Sequence, residues 1–331
     1  MAELLAPIGP WATERIMKSL LRIILLALLP GVAASSFASF DLVMGLDFTN
    51  RVIRRFDGTT GASLGSFGQG YLGAPGALTI NQTLGRAYVY DRPSAQIVVF
   101  NYNTGEYIQN WATGGGAFSW LSTDNTGNIL LGGSDAGGVS ILRRYSPTGA
   151  LLSTYNAPSA TDIFGIAQTA DGSVWAPSGF SGNKGIYRYN IGGGNFTSFT
   201  PIPTLFAPGG DVRAIGNRVY FVGANQASLS FFSSSNPASI TTATFTNQFS
   251  TILGVTAGHG SIIYLAGLAN GGSESKIVRY NLDTGVVSTV GAGVSGAQYL
   301  SVAAVVAPEP ATMLSLLVGA IALSSRRKKS R

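Results

Sequence analysis

Residues 96–111 read QIVVFNYNTGEYIQNW. An apolar run ends in an aromatic, Phe100; a turn of Asn, Thr and Gly follows; a second short strand closes the stretch. Apolar runs separated by Asn, Thr and Gly read as strands joined by a tight turn. The shape recurs as RVIRRFDGTTGASLGSF (51–67), SILRRYSPTGALLSTY (140–155), GIYRYNIGGGNFTSF (185–199), SLSFFSSSNPASITTATF (228–245) and KIVRYNLDTGVVSTV (276–290). The six aromatics are Phe56, Phe100, Tyr145, Tyr189, Phe232 and Tyr280, spaced 44, 45, 44, 43 and 48 residues apart.

A second pair of short strands lies between copies: ALTINQTLGRAYVYD (77–91), SWLSTDNTGNILLGG (119–133), FGIAQTADGSVWAPS (164–178), VRAIGNRVYFVGA (212–224) and LGVTAGHGSIIYLAG (253–267). Four short strands in a period of roughly 45 residues are the mark of a propeller blade. A sandwich or a β-helix offers no reason for that period. Six aromatic copies face only five complete intervening pairs. Circular closure resolves the mismatch. YLSVAAVV (299–306) has no partner after it, and DLVMGLDFTN (41–50) with RVIRRF (51–56) has no inner strand before it. One blade therefore takes its inner strand from the C-terminal end and its outer three from the N-terminal end. The expected fold is all-β, a six-bladed β-propeller over 39–306, with inner strands starting near Ala77, Ser119, Asp162, Asp211, Ile252 and Tyr299. The Tyr-Asn-x-x-Thr-Gly turns resemble those of NHL-type propellers, and no WD dipeptide pattern is present.

The two ends carry addresses. From Met17 the chain reads MKSLLRIILLALLPGVAASSFASF: Lys18 and Arg22 are basic, Ile23 to Leu29 apolar, and small residues follow. This is the order of a secretory signal peptide, with cleavage expected after Ala34 or Ala38. Residues 1–38 are thus read as a signal region with a helix, with Met17 as the alternative start to Met1. At the other end Pro308-Glu309-Pro310 halts regular structure, because each Pro lacks an N–H and restrains the residue before it. Ala311 to Ser325 form an uncharged, mostly apolar run of 15 residues, about 22 Å long as a helix. Arg326, Arg327, Lys328, Lys329 and Arg331 follow. Cations after an apolar run stop transfer and stay on the cytoplasmic side.

This three-part ending, residues 307–331, resembles the PEP-CTERM sorting signal of Gram-negative bacteria. Two departures are Ala307 where Val is common and lysines in part of the arginine run. The resemblance implies a transmembrane helix over 311–325 and cutting near 308–310 by an exosortase. It implies export across the inner membrane, transient anchoring, and delivery to the envelope, the surface or an extracellular matrix. Bearers of this signal are associated with exopolysaccharide and biofilm, so exosortase, export machinery, and an exopolysaccharide or surface protein are the implied partners.

Composition narrows the rest. The chain has 331 residues and no cysteine, which rules out disulfides, thiolate metal sites and thiol nucleophiles. The formal net charge is +6, but residues 39–307 hold 13 Lys+Arg against 12 Asp+Glu, a net of +1. A phosphate-reading surface would be basic over the folded body, so no nucleic-acid partner is expected.

Catalytic candidates are sparse. Lactonase-like six-bladed propellers hold a divalent cation on the axis, and oxygen ligands suit such a hard ion. Only Asp162 and Asp211 are acidic among the inner-strand starts. They are the candidates for a Ca²⁺ site, or Arg213 pairs with one of them in a ring-closing ion pair. His259, the single histidine, sits in AGHGS and reads as a turn residue. Asp124, Asp171 and Asp283 read as turn residues, and GGGAF and IGGGN as loops without the strand–loop–helix setting of a phosphate site. Arg54, Arg55, Arg143, Arg144, Arg188 and Arg279 flank the repeat aromatics. They form either a rim of cation–π or sugar-binding positions or, as the alternation favours, outward strand positions. Trp111, Trp120 and Trp175 fit blade core or a carbohydrate platform. The expected function is a non-enzymatic exported binding or structural module without a cofactor; the rival is a secreted hydrolase or lyase with a central cation.

Overall fold

The computed structural model describes residues 41–156, 163, 165–178, 185–191, 195–201, 208–223, 226–272, 274–291 and 299–305. These form 24 strands in six antiparallel sheets of four, arranged as the blades of a propeller. No helix long and apolar enough to cross a membrane occurs among them. The expected signal helix, the helix over 311–325 and the basic tail lie outside the described residues.

Blade 1 runs from the axis outward as Pro75–Asn81, Arg86–Asp91, Gln96–Asn101 and Tyr107–Ala112. Blades 2 to 5 repeat this order, with inner strands Ala117–Thr123, Ala167–Gln168, Pro208–Ile215 and Phe249–Ala257. Blade 6 is composite. Tyr299–Val305 is its inner strand and Leu42–Asp47, Val52–Asp57 and Ser63–Phe67 are the outer three. Leu42 pairs with Val305, Val43 with Ala304 and Leu46 with Ser301. The closure expected from the unmatched end strands is the one observed.

The core is not inside the blades but between them. Successive side chains of a strand point to opposite faces, so each middle strand feeds two interfaces. In Leu42–Asp47, Val43 joins Tyr264 and Ile277 of blade 5, whereas Met44 and Leu46 join Leu78 and Val89 of blade 1. Both faces are dry, which is why these strands read as continuous apolar runs rather than alternating ones.

Each repeat aromatic fills the interface with the blade before its own. Phe56 packs against blade 5, Phe100 against blade 6, Tyr145 against blade 1, Tyr189 against blade 2, and Phe232 against blade 3. Tyr280 packs toward blade 4 but is only partly buried. Full burial of a large apolar side chain stabilises by roughly 1.5–3 kcal/mol, so the period in the sequence is the period of the ring's main anchors.

The residue after each aromatic shapes the outer turn. Asp57, Asn101 and Asn281 each accept two backbone N–H bonds from the turn that follows, at 2.8 to 3.1 Å. The Ser146 hydroxyl does the same for Thr148 and Ala150. These side-chain-to-backbone bonds satisfy amides that the strands cannot. Gly105 and Gly149 end two of the turns at φ 79° and 97°, where a side chain would be strained.

Two residues other than glycine sit in the left-handed region, Arg51 at φ 56° and Ala95 at φ 49°. They occupy the same turn, between the second and third strands, of adjacent blades. Left-handed backbone costs an L-residue roughly 1–2 kcal/mol, and glycine escapes most of it. Ala95→Gly is therefore expected to raise stability by about 0.5–1 kcal/mol. A lower melting temperature in a thermal scan would show that the Ala95 methyl earns its place by packing.

Candidate functional site

The inner strands of all six blades converge on an axial cavity of about 200 Å³. Its wall includes Thr79 of blade 1, Ser122 and Thr123 of blade 2, Gln168 of blade 3, Arg213 of blade 4, and Thr256 of blade 5. Blade 6 contributes Ala303 and Ala304. Ile80, Ala214 and Ala257 complete a wall that is part polar and part apolar and carries one charge, the guanidinium of Arg213.

Alternation in Pro208–Ile215 produces this placement. Val212 and Ala214 pack into the apolar interface with blade 3, which turns Asp211 and Arg213 toward the axis. Arg213 Nη1 donates to Asp211 Oδ1 at 2.8 Å and to the Leu121 carbonyl of blade 2 at 3.1 Å. Its Nη2 donates to the Leu78 carbonyl of blade 1 at 3.0 Å. One side chain thus ties blade 4 to the two blades across the axis and crosses the channel to do so.

Asp211 is buried, and burial pushes its carboxyl up to about 6 despite the opposing pull of Arg213, the Val212 and Val255 amides and the Ser301 hydroxyl. Its Oδ2 has no partner in hydrogen-bond geometry. The pair is a costly structural element, since two buried charges recover their desolvation only partly through mutual attraction.

Of the two cation candidates, Asp162 lies outside the described residues. Asp211 has taken up the ion pair with Arg213. A calcium ion needs six to eight oxygen ligands, and no group of three or more His, Cys, Asp or Glu suited to a metal occurs among the described residues. The described part of the axis does not fit such an ion.

His259 is partly buried in its turn, and its backbone N–H donates to Asp41 Oδ2 at 2.9 Å. The Tyr264 hydroxyl donates to the same oxygen at 2.7 Å. Burial, and then the Asp41 carboxylate, push the Tyr264 phenol well above its ordinary range. Asp41, at the start of blade 6, is thereby bolted to blade 5.

The turn aspartates divide. Asp124 Oδ1 accepts from the Thr126 amide and hydroxyl and from the Asn128 amide, and Oδ2 accepts from Arg144 Nε. Burial opposes its charge, but these donors outweigh it and lower the carboxyl. Asp171 accepts from the Thr169 hydroxyl and the Ser173 amide; burial again opposes, and these donors hold it at about 2. Asp283 is not the acceptor of its turn: Asn281, two residues earlier, is. The loop reading of GGGAF holds for Gly114 to Gly116 only, since Ala117 and Phe118 already pair with Ser134 and Gly133 as the start of blade 2's inner strand; the glycines of IGGGN lie outside the described residues.

Five of the six arginines beside the aromatics, Arg54, Arg55, Arg143, Arg144 and Arg188, make contacts within the ring. Arg54 bonds Asp47 and Arg144 bonds Asp124, both at 2.7 Å with side chains only 23% and 21% exposed. Arg55 reaches the Asn103 carbonyl and lies over Phe67; Arg143 reaches the Thr113 carbonyl and lies over Phe118. Arg188 holds the Ser173 hydroxyl and lies over Trp175. Arg188 keeps the exposed position expected of it and Arg54, Arg55, Arg143 and Arg144 are partly exposed, but these guanidiniums also staple turns and blades. Trp175 is core, 1% exposed with Nε1 on Thr169, and Trp111 packs at the interface of blades 1 and 2.

A six-bladed β-propeller with an axis braced by Arg213 is the class that fold and site define. Its C-terminal end carries the PEP-CTERM protein-sorting motif, which matches residues 306–328. That motif implies export and processing by exosortase. No curated protein matches the sequence. Among solved structures, a Bacteroides caccae protein of unknown function superposes with a TM-score of 0.62 at 12% identity, over 81% of this chain and 99% of that one. A chain of the nidogen/laminin complex gives 0.64 at 12% identity, over 80% and 98%. Virginiamycin B lyase from Staphylococcus aureus gives 0.53 at 17%, over 75% and 80%. At these identities the likeness is one of fold.

Proposed function

We propose that the chain is an exported, non-enzymatic propeller that serves as a binding or structural module of the cell surface or extracellular matrix. The observation that carries the proposal is an adjacency. The strand closing the ring ends at Val305, and the sorting match begins at residue 306. A cut at Pro308-Glu309-Pro310 would leave the closing strand, and with it the whole ring, intact. In this reading residues 1–38 are removed after Ala34 or Ala38, Ala311 to Ser325 hold the chain in the inner membrane, and Arg326, Arg327, Lys328, Lys329 and Arg331 stop transfer. The propeller at 39–306 is then handed to the surface, where exopolysaccharide or a surface protein is its partner.

The braced axis supports a non-enzymatic role. Its one described carboxylate is held by Arg213, and a general base needs a free partner within reach of its substrate. The fold shared with a lyase supplies a scaffold for the rival enzymatic reading but no residues for it.

Replacing Pro308, Glu309 and Pro310 by Ala tests the proposal in the native host. The wild type is expected outside the inner membrane and the variant retained in it with its tail. The same distribution for both would remove the basis of the proposal.

A further inference from the structure

The repeat breaks in one place. Five intervals would be equal in a regular ring, yet the step from Phe232 to Tyr280 is 48 residues where the others are 43 to 45. The surplus falls where the strands are longest: Asn236–Thr244 and Phe249–Ala257 have nine residues each. The structure is irregular at the same point. Phe56, Phe100, Tyr145, Tyr189 and Phe232 are at most 3% exposed, whereas Tyr280 is left partly open.

What opens it is a groove of about 330 Å³ between blades 4 and 5, at the lower end of the roughly 300–1,000 Å³ of small-molecule sites. Tyr280 and Phe245 supply its rings, set edge to face at 4.9 Å. Thr244, Thr246, Asn247 and Gln248 supply hydroxyls and amides. The segment is fixed by its own turn: the Gln248 and Phe249 amides both donate to the Phe245 carbonyl, at 2.7 and 2.9 Å. Lys276 Nζ donates to Gln248 Oε1 at 2.8 Å, which takes up the oxygen of that amide and leaves its N–H groups as the part that can donate. None of the nine lining residues is charged.

We infer that this groove is a binding site for a neutral saccharide. A sugar ring has an apolar C–H face that lies against an aromatic and a rim of hydroxyls that exchange hydrogen bonds with amides and hydroxyls. The groove offers both, and no charged residue lines it; the cation beside it, Lys276, is held by Gln248 Oε1 rather than presented to a phosphate or a uronate. An insertion in one repeat of an otherwise regular array is also where such arrays carry binding surfaces. The inference rests on the reading of the protein as a binding module and names the ligand class and site.

The test uses the full chain in detergent with a panel of neutral oligosaccharides, laminari-, cello- and malto-tetraose, and an oligogalacturonate as the charged control. Binding is read by titration calorimetry for the wild type, Tyr280→Ala, Tyr280→Phe and Asn247→Ala. Asn247 is an exposed turn residue, so its replacement leaves the fold and the melting temperature unchanged and guards against a trivial loss through unfolding at Tyr280. The expected result is binding of at least one neutral sugar, retained in Tyr280→Phe and weakened at least tenfold in both alanine variants. Neutral-sugar binding that both alanine variants keep would overturn the site while leaving the binding-module reading standing. Wild-type protein that binds only the oligogalacturonate, or no sugar of the panel, would overturn the inference itself; the export reading is judged separately, by the fate of the tail.

Discussion

A chain ended before Tyr299 is expected to lose cooperative melting, while a chain ended after Ala307 melts within about 1 °C of the full protein. The difference is seven residues of inner strand. Without them Leu42–Asp47 becomes a bare inner edge, an open template for aggregation. Val302, Ala303 and Ala304 leave the two interfaces on either side of blade 6, and Ser301 leaves the axis. Lost apolar burial at these positions and at the side chains they cover amounts to about 5 kcal/mol. That is the scale of a whole domain's stability, roughly 5–15 kcal/mol. A ring has no tolerance for a missing edge, because both neighbouring blades lose a face at once. Equal melting temperatures for the two truncations, measured on otherwise identical chains starting after Ala38, would contradict closure by the C-terminal strand.

Arg213→Ala is the point substitution with the largest expected cost. It leaves Asp211 buried without its counter-charge, takes the Arg213 donor from the Leu121 carbonyl, and leaves the Leu78 carbonyl only the longer bond from the Ser301 hydroxyl at 3.4 Å. Breaking one partner of a buried pair costs about 3–5 kcal/mol, a loss on the order of 10 °C in melting temperature for a domain of this size. The double variant Asp211→Ala/Arg213→Ala should cost less than the sum of the two single ones, since the stranded charge is gone.

The same pair predicts a pH dependence. Asp211 has a folded pKa of about 6 against an ordinary 3.8. A raised carboxyl binds its proton more tightly in the folded state, so its contribution to stability is fully present below about pH 4 and is lost as pH rises through 6. The amplitude is about 3 kcal/mol. Asp171, held at about 2, acts in the opposite sense and in a separate window, losing its contribution as pH falls from about 4 to 2. Asp211→Asn should flatten the stability profile between pH 4 and 6 and leave the acid limb below pH 4 unchanged. An unaltered slope between 4 and 6 would mean that Asp211 is not the group that titrates there.

How much of this was legible in the sequence depends on the range of each interaction. Blade number and closure follow from the spacing of six aromatics and from two unmatched ends, because each blade repeats one local pattern; the inner strands follow less closely, since the described inner strand of blade 3 is Ala167–Gln168 and not one starting near Asp162. Phe100 alone says little; Phe56, Phe100 and Tyr145 at near-equal intervals say that the same interface is built three times. Turn chemistry was half legible. Asp-Gly and Asn-Thr-Gly mark the turns, but the acceptor in NLDTG is Asn281 rather than Asp283, a distinction set by register. The site was the least legible part. Arg213 could be suspected as a partner for Asp211, two residues away. Its bonds to Leu121 and Leu78 span 92 and 135 positions, and no periodicity encodes a contact across the axis. The bond from Tyr264 to Asp41, 223 positions apart, is equally silent. The open groove had a visible trace, the 48-residue step, whose meaning required the exposure of Tyr280.

The measurement that bears most directly on the account is the intact mass of the protein recovered from the envelope and medium of its native host. The expected chain begins after Ala34 or Ala38 and ends near residues 308–310, with the ring-closing strand retained and the arginine–lysine tail gone. A mass that includes Arg326 through Arg331 would contradict it. The propeller would then belong to a protein held permanently in the inner membrane, and its assignment to the surface would fall.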